Sequence, residues 1–296
     1  MNRLNLNLEE KVLIIDANAL IHKSYHALPN KLTNKKGETM NAVFGFFSIF
    51  LKIIRDLQPQ YIITAFDSPG KTFRHDLYKK YKETRQKTPD ELIAQIPKVE
   101  NILQKMGIAV LKKTGMEADD IIATLVKKIT PEKEVVVLTG DRDLLQLVGS
   151  KTKVVLSKTG VSNVEIYNEK KVRQKYHNLN PDQLIDLKAL EGDKADNIPG
   201  VKGVGIKAGL KLLKKASSLE EVYSLLEKDK LDIKPNLKKK LQKNKEIAFL
   251  SKKLGSLKND VEIDFELEKY PQKGYNKKEL ISIFKSMGFE SLVNRL

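Results

Sequence analysis

The chain has no cysteine and no tryptophan, and aromatic residues of all kinds make up 6% of it. The absence of thiols excludes disulfides and thiolate metal sites, so a bound metal must be held mainly by oxygen, which selects hard ions such as Mg²⁺ or Mn²⁺. It also fits a cytoplasmic protein. Apolar runs are short. None approaches the roughly 20 residues of a membrane span, and MNRLNLNLEEK lacks the charged-then-apolar order of a signal peptide. Histidines are few, and His22, His26, His75 and His177 show no metal-ligand spacing, so they read as structural or surface residues. Acids are in deficit, 38 against 54 lysines and arginines, for a net charge of +16. The 296 residues suffice for one large domain plus a smaller lobe.

The acids that are present fall where strands or helices should end. Nine of them stand in five short clusters: Asp16; Asp67; Glu117, Asp119 and Asp120; Asp141 and Asp143; Asp193 and Asp196. Asp16, Asp67 and Asp141 follow the apolar runs KVLII, YIITAF and EVVVLTG, which read as buried parallel strands. In open α/β sheets the carboxyl ends of strands converge on one crevice, where ligands bind. So many acids in one crevice would shift their pKa values upward or unfold the site unless cations neutralised them. The pattern therefore predicts a multi-metal site inside a basic protein, which suits a polyanionic substrate. Singly, each cluster also reads as helix capping or turn formation, which aspartate does routinely.

The strand candidates are 11–15, 61–66, 108–112, 134–140 and 153–157, alternating with helices over 38–57, 89–106 and 117–129. That alternation predicts an α/β fold with a mostly parallel central sheet flanked by helices. Beyond about residue 168 the pattern turns wholly helical. In the 117–129 helix, Glu117 and Asp119 near the first turn can both reach a metal, with Asp120 expected behind them. Asp141 and Asp143 would share a face in extended backbone.

Two basic motifs accompany the acids. In PGVKGVGIKAGLKLL, Gly200, Gly203 and Gly205 permit tight turns that present N–H groups to an anion, and a helix starts at about Ile206. Lys202, Lys207 and Lys211 add charge, and the whole reads as a helix–hairpin–helix that grips a DNA backbone without reading bases. A nucleotide-binding glycine loop competes, but no strand precedes these glycines; a plain glycine-rich turn is the bland alternative. In FRHDLYKKYKETR, Arg74, Lys79, Lys80, Lys82 and Arg85 interleave with Phe73, Tyr78 and Tyr81, a mixture that holds single strands by charge and stacking. The competing reading is a solvated amphipathic helix. Lys23 draws interest as a neighbour of Asp16.

FDSPGKTFRHDLYKKYKETR, GMEADDIIATL, LTGDRDLLQL and LEGDKADNIPGVKGVGIKAGLKLL closely resemble the 5′-nuclease domain of bacterial DNA polymerase I and related phage and cellular flap endonucleases. The resemblance runs from about residue 11 to about residue 250. It implies a PIN-like nuclease domain over 1–175 with a helical arch at about 72–90, a helical DNA-binding lobe over 176–260, and a segment 261–296 returning to the nuclease domain. It implies two Mg²⁺ ions, replaceable by Mn²⁺, with Asp16, Asp67, Glu117 and Asp119 towards one ion. Asp141, Asp143, Asp193 and Asp196 would lie towards the other, and Asp120 outside both. Lys82 and Arg85 would steer and polarise the scissile phosphate, Tyr81 would stack on a base, Arg74 would support them, and K⁺ is expected at the hairpin. Relatives often carry Tyr-Arg where this chain has His22-Lys23, and lysine keeps the charge but loses the bidentate fork.

The expected activity is 5′-3′ exonuclease and 5′-flap endonuclease cleavage of DNA with flaps, 5′ ends or junctions, and of RNA-primed DNA, in replication and repair. A stand-alone monomer is expected, because no polymerase sequence follows residue 296. A non-catalytic junction binder and a ribonuclease are the competing functions. The first has no use for nine acids facing phosphates, and the second has less use for a duplex grip.

Overall fold

Alternation along KVLIID puts Leu13 and Ile15 on one face of a strand and Val12 and Ile14 on the other. All four are fully buried, which places this strand in the middle of a three-layer molecule. The structure, a computed structural model, describes residues 11–29, 32–158, 160, 163–271 and 274–296. Residues 1–10, whose sequence argues against a signal peptide, lie outside the described residues.

Six strands form one sheet: β1 Lys11–Asp16, β2 Tyr61–Ala65, β3 Ala109–Leu111, β4 Glu134–Thr139, β5 Thr152–Ser157 and β6 Val164–Tyr167. Their order is β3-β2-β1-β4-β5-β6, parallel except for the antiparallel β5–β6 pair. The order reverses at β1, which has β2 on one side and β4 on the other, so the crevice at a switch point opens beyond Asp16. Register pairs Asp16 with Ala65 and Ile15 with Leu138, which sets Asp67 and Asp141 just past the strand ends on either side of Asp16.

On one face, helices Ala17–Ala27, Asn41–Leu57 and Ile96–Lys105 pack onto Leu13 and Ile15. Phe46, Phe47 and Phe50 interlock there at centroid separations of 5.2–5.9 Å, and each contributes roughly 1.5–3 kcal/mol by leaving water. Leu280 and Phe284 of the helix Lys277–Ser286 join this same core. On the opposite face the helix Ala118–Ile129 buries Ile121, Ile122 and Leu125 against Val12 and Ile14. A third core belongs to the helical part, where helices Gln183–Glu191, Ile206–Lys215 and Leu219–Glu227 enclose Leu187, Leu212 and Val222.

Three elements differ from expectation. The helix expected over 89–106 is split into Asp90–Ile93 and Ile96–Lys105, because Pro97 has no N–H to give the preceding turn. Gln95 at the break turns its Oε1 to the N–H groups of Ala42 and Val43, at 2.8 and 3.2 Å. β6 was not anticipated; it is short and carries Glu165 within VEIY. The segment expected as a helical arch is helical only over Phe73–Leu77, with turns at 79–84. Lys82 sits there at φ 55°, a left-handed conformation that ends any helix.

Candidate metal centre

Asp16 ends β1 and caps the next helix, accepting from Ala19 N at 3.0 Å, while Thr139 Oγ1 donates to its other oxygen at 2.6 Å. Burial pushes its carboxyl up to about 7, with Asp67 and Asp141 adding repulsion after those two hydrogen bonds have offset part of the rise. Asp67 is fixed through its backbone N–H, given to Asn18 Oδ1, and through its carboxylate, which accepts from Ala118 N at 2.8 Å. Asp119 is held well above the usual carboxylate range by burial and then by Asp16 and Asp141. Asp16, Asp67, Glu117, Asp119 and Asp141 line one cavity of about 240 Å³, together with Asn18, His22, Lys82 and Arg85.

Asp143 does not continue an extended backbone from Asp141. It opens a 3-10 helix, Asp143–Leu147, and donates its N–H to Asp141 Oδ1 at 2.9 Å. It turns towards the helical part, where carboxylate oxygens of Asp143, Asp193 and Asp196 lie within 4.8 Å of one another. Asp141 and Asp143 both line a second cavity of about 690 Å³ with Asp193, so Asp141 faces both spaces. Lys188 bridges Asp143 and Asp193. Burial and Asp141 still push Asp143 up to about 6, whereas at Asp193 burial is outweighed by Lys188 together with the N–H groups of Ala195 and Asp196, which hold it below the usual range.

A tight loop brings Asp193 and Asp196 to this edge. Asp193 and Ile198 exchange two backbone hydrogen bonds of 2.8 Å, and Gly192 (φ 79°) and Gly200 (φ 62°) lie back to back at its base. A Cβ on Gly200 would fall 2.3 Å from Gly192 N, so no other residue fits. The N–H of Gly200 goes to Ser251 Oγ at 3.0 Å and is not presented to an anion. Gly203, Gly205, Lys202, Lys207 and Lys211 are exposed around the start of the helix Ile206–Lys215. Gly203 O accepts from Lys240 Nζ.

The basic segment lies across the acids. Lys82 Nζ reaches Glu117 Oε1 at 2.7 Å, Arg85 grips Asp196 Oδ1 at 2.5 Å, and Lys82 N donates to Asp196 O. Tyr81, expected to stack on a base, is instead 3% exposed, its hydroxyl within 3.3 Å of both Glu117 and Asp196. Its ring is enclosed by His75 and Lys82, which leaves no face open for a base. Arg74 is buried as well. It forks onto both oxygens of Asp120 at 2.7 and 2.8 Å and donates to the carbonyls of Leu254 and Ser256. Asp120 is thereby spent on Arg74 and on Lys258 N, away from the cavity. Lys23 extends past Asp16 to the Ser157 carbonyl, at the edge of a neighbouring cavity.

Sequence reading missed Asn18, His22 and Lys188. The first two lie four apart on one helix, a face-sharing spacing that follows Asp16 directly and was a usable signal. Lys188 gave none: Asp193, five residues on, is not at a helical face-sharing spacing, and its other partner Asp143 is 45 residues away. Eight oxygen-bearing acids, no thiolate and several carboxylates displaced upward make a donor set suited to hard divalent cations.

Residues 11–177 match the family model described as 5′-3′ exonuclease, N-terminal resolvase-like domain, and residues 179–278 match 5′-3′ exonuclease, C-terminal SAM fold. DNA polymerase I of Bacillus subtilis (strain 168) is 41% identical over 288 residues, covering 97% of this chain and 32% of that protein. The chain thus spans about a third of the length of the curated relatives it matches. Among solved structures, T5 5′-exonuclease with bound zinc superposes with a TM-score of 0.68 at 22% identity, over 84% of this chain and 90% of the other. The catalytic core of Rad2 in complex with DNA substrate gives 0.64 at 20% identity, over 98% and 92%. At these identities the likeness is one of fold: a PIN-like, resolvase-like sheet domain followed by a helical SAM-like part.

Proposed function

The chain belongs to the 5′-3′ exonuclease family, and on that premise we propose that it is a divalent-metal-dependent 5′-3′ exonuclease and 5′-flap endonuclease. One observation carries the reading. Five acids from three strand ends and one helix start converge on a single cavity beside Lys82 and Arg85, and a second acid group from the helical part adjoins it. Two divalent ions, Mg²⁺ or Mn²⁺, would neutralise the phosphodiester and activate water when bound. Asp16, Asp67, Glu117 and Asp119 would hold one, with Asp141, Asp143, Asp193 and Asp196 towards the other. Asp141 faces both cavities and so suits a place between them.

The rest of the chemistry belongs to the protein. Lys82 and Arg85 sit where a scissile phosphate would lie, and would exchange Glu117 and Asp196 for its oxygens. Tyr81 positions both acids through its hydroxyl, and Arg74 fixes the segment that carries it. Lys202, Lys207 and Lys211, with the exposed backbone at Gly203 and Gly205, would hold duplex phosphates, with K⁺ at the hairpin. The nuclease domain would run over 1–175, the DNA-binding lobe over 176–260 and the returning segment over 261–296. Substrates would be DNA flaps, 5′ ends and RNA-primed DNA, acted on by a cytoplasmic monomer in replication and repair, leaving 5′-phosphates and 3′-hydroxyls. The test is cleavage of labelled 5′-flap DNA in Mg²⁺ or in EDTA. Asp67→Asn and Asp141→Asn should each lower cleavage by about 10³-fold or more, comparable to losing about 4 kcal/mol of transition-state stabilisation, with DNA binding retained. Cleavage retained in both variants would sink the assignment.

A further inference from the structure

Beside the acid crevice lies a cavity of opposite sign. It measures about 770 Å³ and is lined by Lys23, Arg142, Lys158, Lys171 and Lys175, with Glu165 as its only carboxylate among the described residues. Glu165 is already shared. It pairs with Lys158 and Lys171 and accepts from the Tyr167 hydroxyl, which together hold it down at about 2. Lys23, Arg142 and Lys175 therefore face the cavity without an acid. Lys23 donates to a carbonyl and Lys175 to the Tyr167 hydroxyl, while Arg142 is exposed and its side chain has no bonded partner among the described residues. Burial and then Arg142 depress both lysines, with Glu165 offsetting part of the fall at Lys175.

The wall between this cavity and the acids is thin. Gly140 and Arg142 line both the basic cavity and the larger acid cavity, flanking Asp141. A Cβ on Gly140 would meet the Ala19 carbonyl at 3.0 Å and Lys23 Cδ at 3.3 Å. Glycine there lets the first helix sit close enough for Lys23 to span from the acid side to Ser157. The Tyr167 ring is covered by Lys171 and Lys175, with Nζ–centroid distances of 5.3 and 4.8 Å, so it offers no free face for a base. What remains is charge, which recognises phosphate and not sequence.

We propose that this cavity is a second phosphate site, which holds the backbone of the nucleic acid strand one or two nucleotides from the bond placed over the acids. The inference rests on the functional reading above. Its test uses the full chain in EDTA, with labelled 5′-flap DNA titrated by fluorescence anisotropy over a KCl series. Arg142→Gln/Lys175→Gln should weaken binding by about tenfold and reduce the slope of log K against log salt by about two, one per lost phosphate contact. Arg142→Gln alone, at an exposed side chain without bonded partners among the described residues, should fold normally and lower the slope by about one. The charge-matched Lys127→Gln/Lys151→Gln, at the opposite end of the sheet, should leave affinity within about twofold. Unchanged affinity and slope in the double and single variants, with the parent binding DNA, would overturn this site alone. A parent that binds no DNA would remove the functional reading with it. Inorganic phosphate binding that the double variant loses while its DNA affinity stays at the parent's level would show a free-anion site and overturn the strand assignment.

Discussion

Two groups of carboxylates meet at the same edge of the sheet and are balanced by different means. Among the described residues no lysine or arginine pairs with Asp16, Asp67, Asp119 or Asp141, whereas Asp143 and Asp193 share Lys188, and Asp196 is held by Arg85. The difference follows from where the groups are built. The first sits on strand ends and a helix start, and the long cations that line its cavity, Lys82 and Arg85, are engaged by Glu117 and Asp196 instead. The second lies at the junction with the helical part, which supplies Lys188 to Asp143 and Asp193, while the basic segment supplies Arg85 to Asp196. Burial favours the protonated, neutral form of Asp16 and Asp119 until a metal binds; the paired acids are neutralised in advance, and an ion must displace a side chain to reach them.

The largest expected effect lies at the one acid withdrawn from both groups. Arg74→Ala would leave Asp120 buried and unpaired, and should cost about 3–5 kcal/mol in urea unfolding. A loss below about 1 kcal/mol would show that the pair does not fasten the basic segment to the domain. The unpaired acids should show themselves next, through pH. Asp16 titrates at about 7 when folded against 3.8 as its ordinary value, so the folded state binds its proton more tightly. In EDTA its contribution to stability should fall as pH rises from about 4 to about 7, at up to about 1.4 kcal/mol per pH unit. Asp16→Asn should flatten that dependence; an unchanged profile would refute the assignment. The smallest effect concerns the paired group. Lys188→Gln should lower stability in EDTA by about 1 kcal/mol by leaving Asp143 and Asp193 to repel each other, and Mg²⁺ should recover the loss in a thermal melt. Equal melting losses with and without Mg²⁺ would show that Lys188 acts by packing alone.

Much of this comparison can be read along the chain, because strand ends announce themselves. KVLIID, YIITAFD and VVVLTGD each show a β-branched run stopped by an acid, and a parallel sheet needs both faces apolar. β6 escaped because VEIY is short and antiparallel strands at an edge tolerate polar residues. The split at Ala94–Gln95 escaped because proline at the second position of a helix reads equally as a start or as an interior fault. In the site, the acids were legible as a set. Their partners were not: Lys188 to Asp143, Arg85 to Asp196 and Tyr81 to Glu117 join residues that share no local period. The burial of Tyr81 depends on a helical part that begins about a hundred residues later, and no window of sequence contains both.

The fork of Arg74 has a consequence for how the protein is made. Two of its four acceptors are the carbonyls of Leu254 and Ser256, 180 and 182 positions downstream. Domains fold as they emerge during synthesis, and contacts of such separation close late. A nascent chain can therefore complete its strands and gather Asp16, Asp67 and Asp141 long before the segment bearing Lys82 is locked over them. The acid site would be covered only after residues 254–256 have emerged, with the basic segment free to settle last.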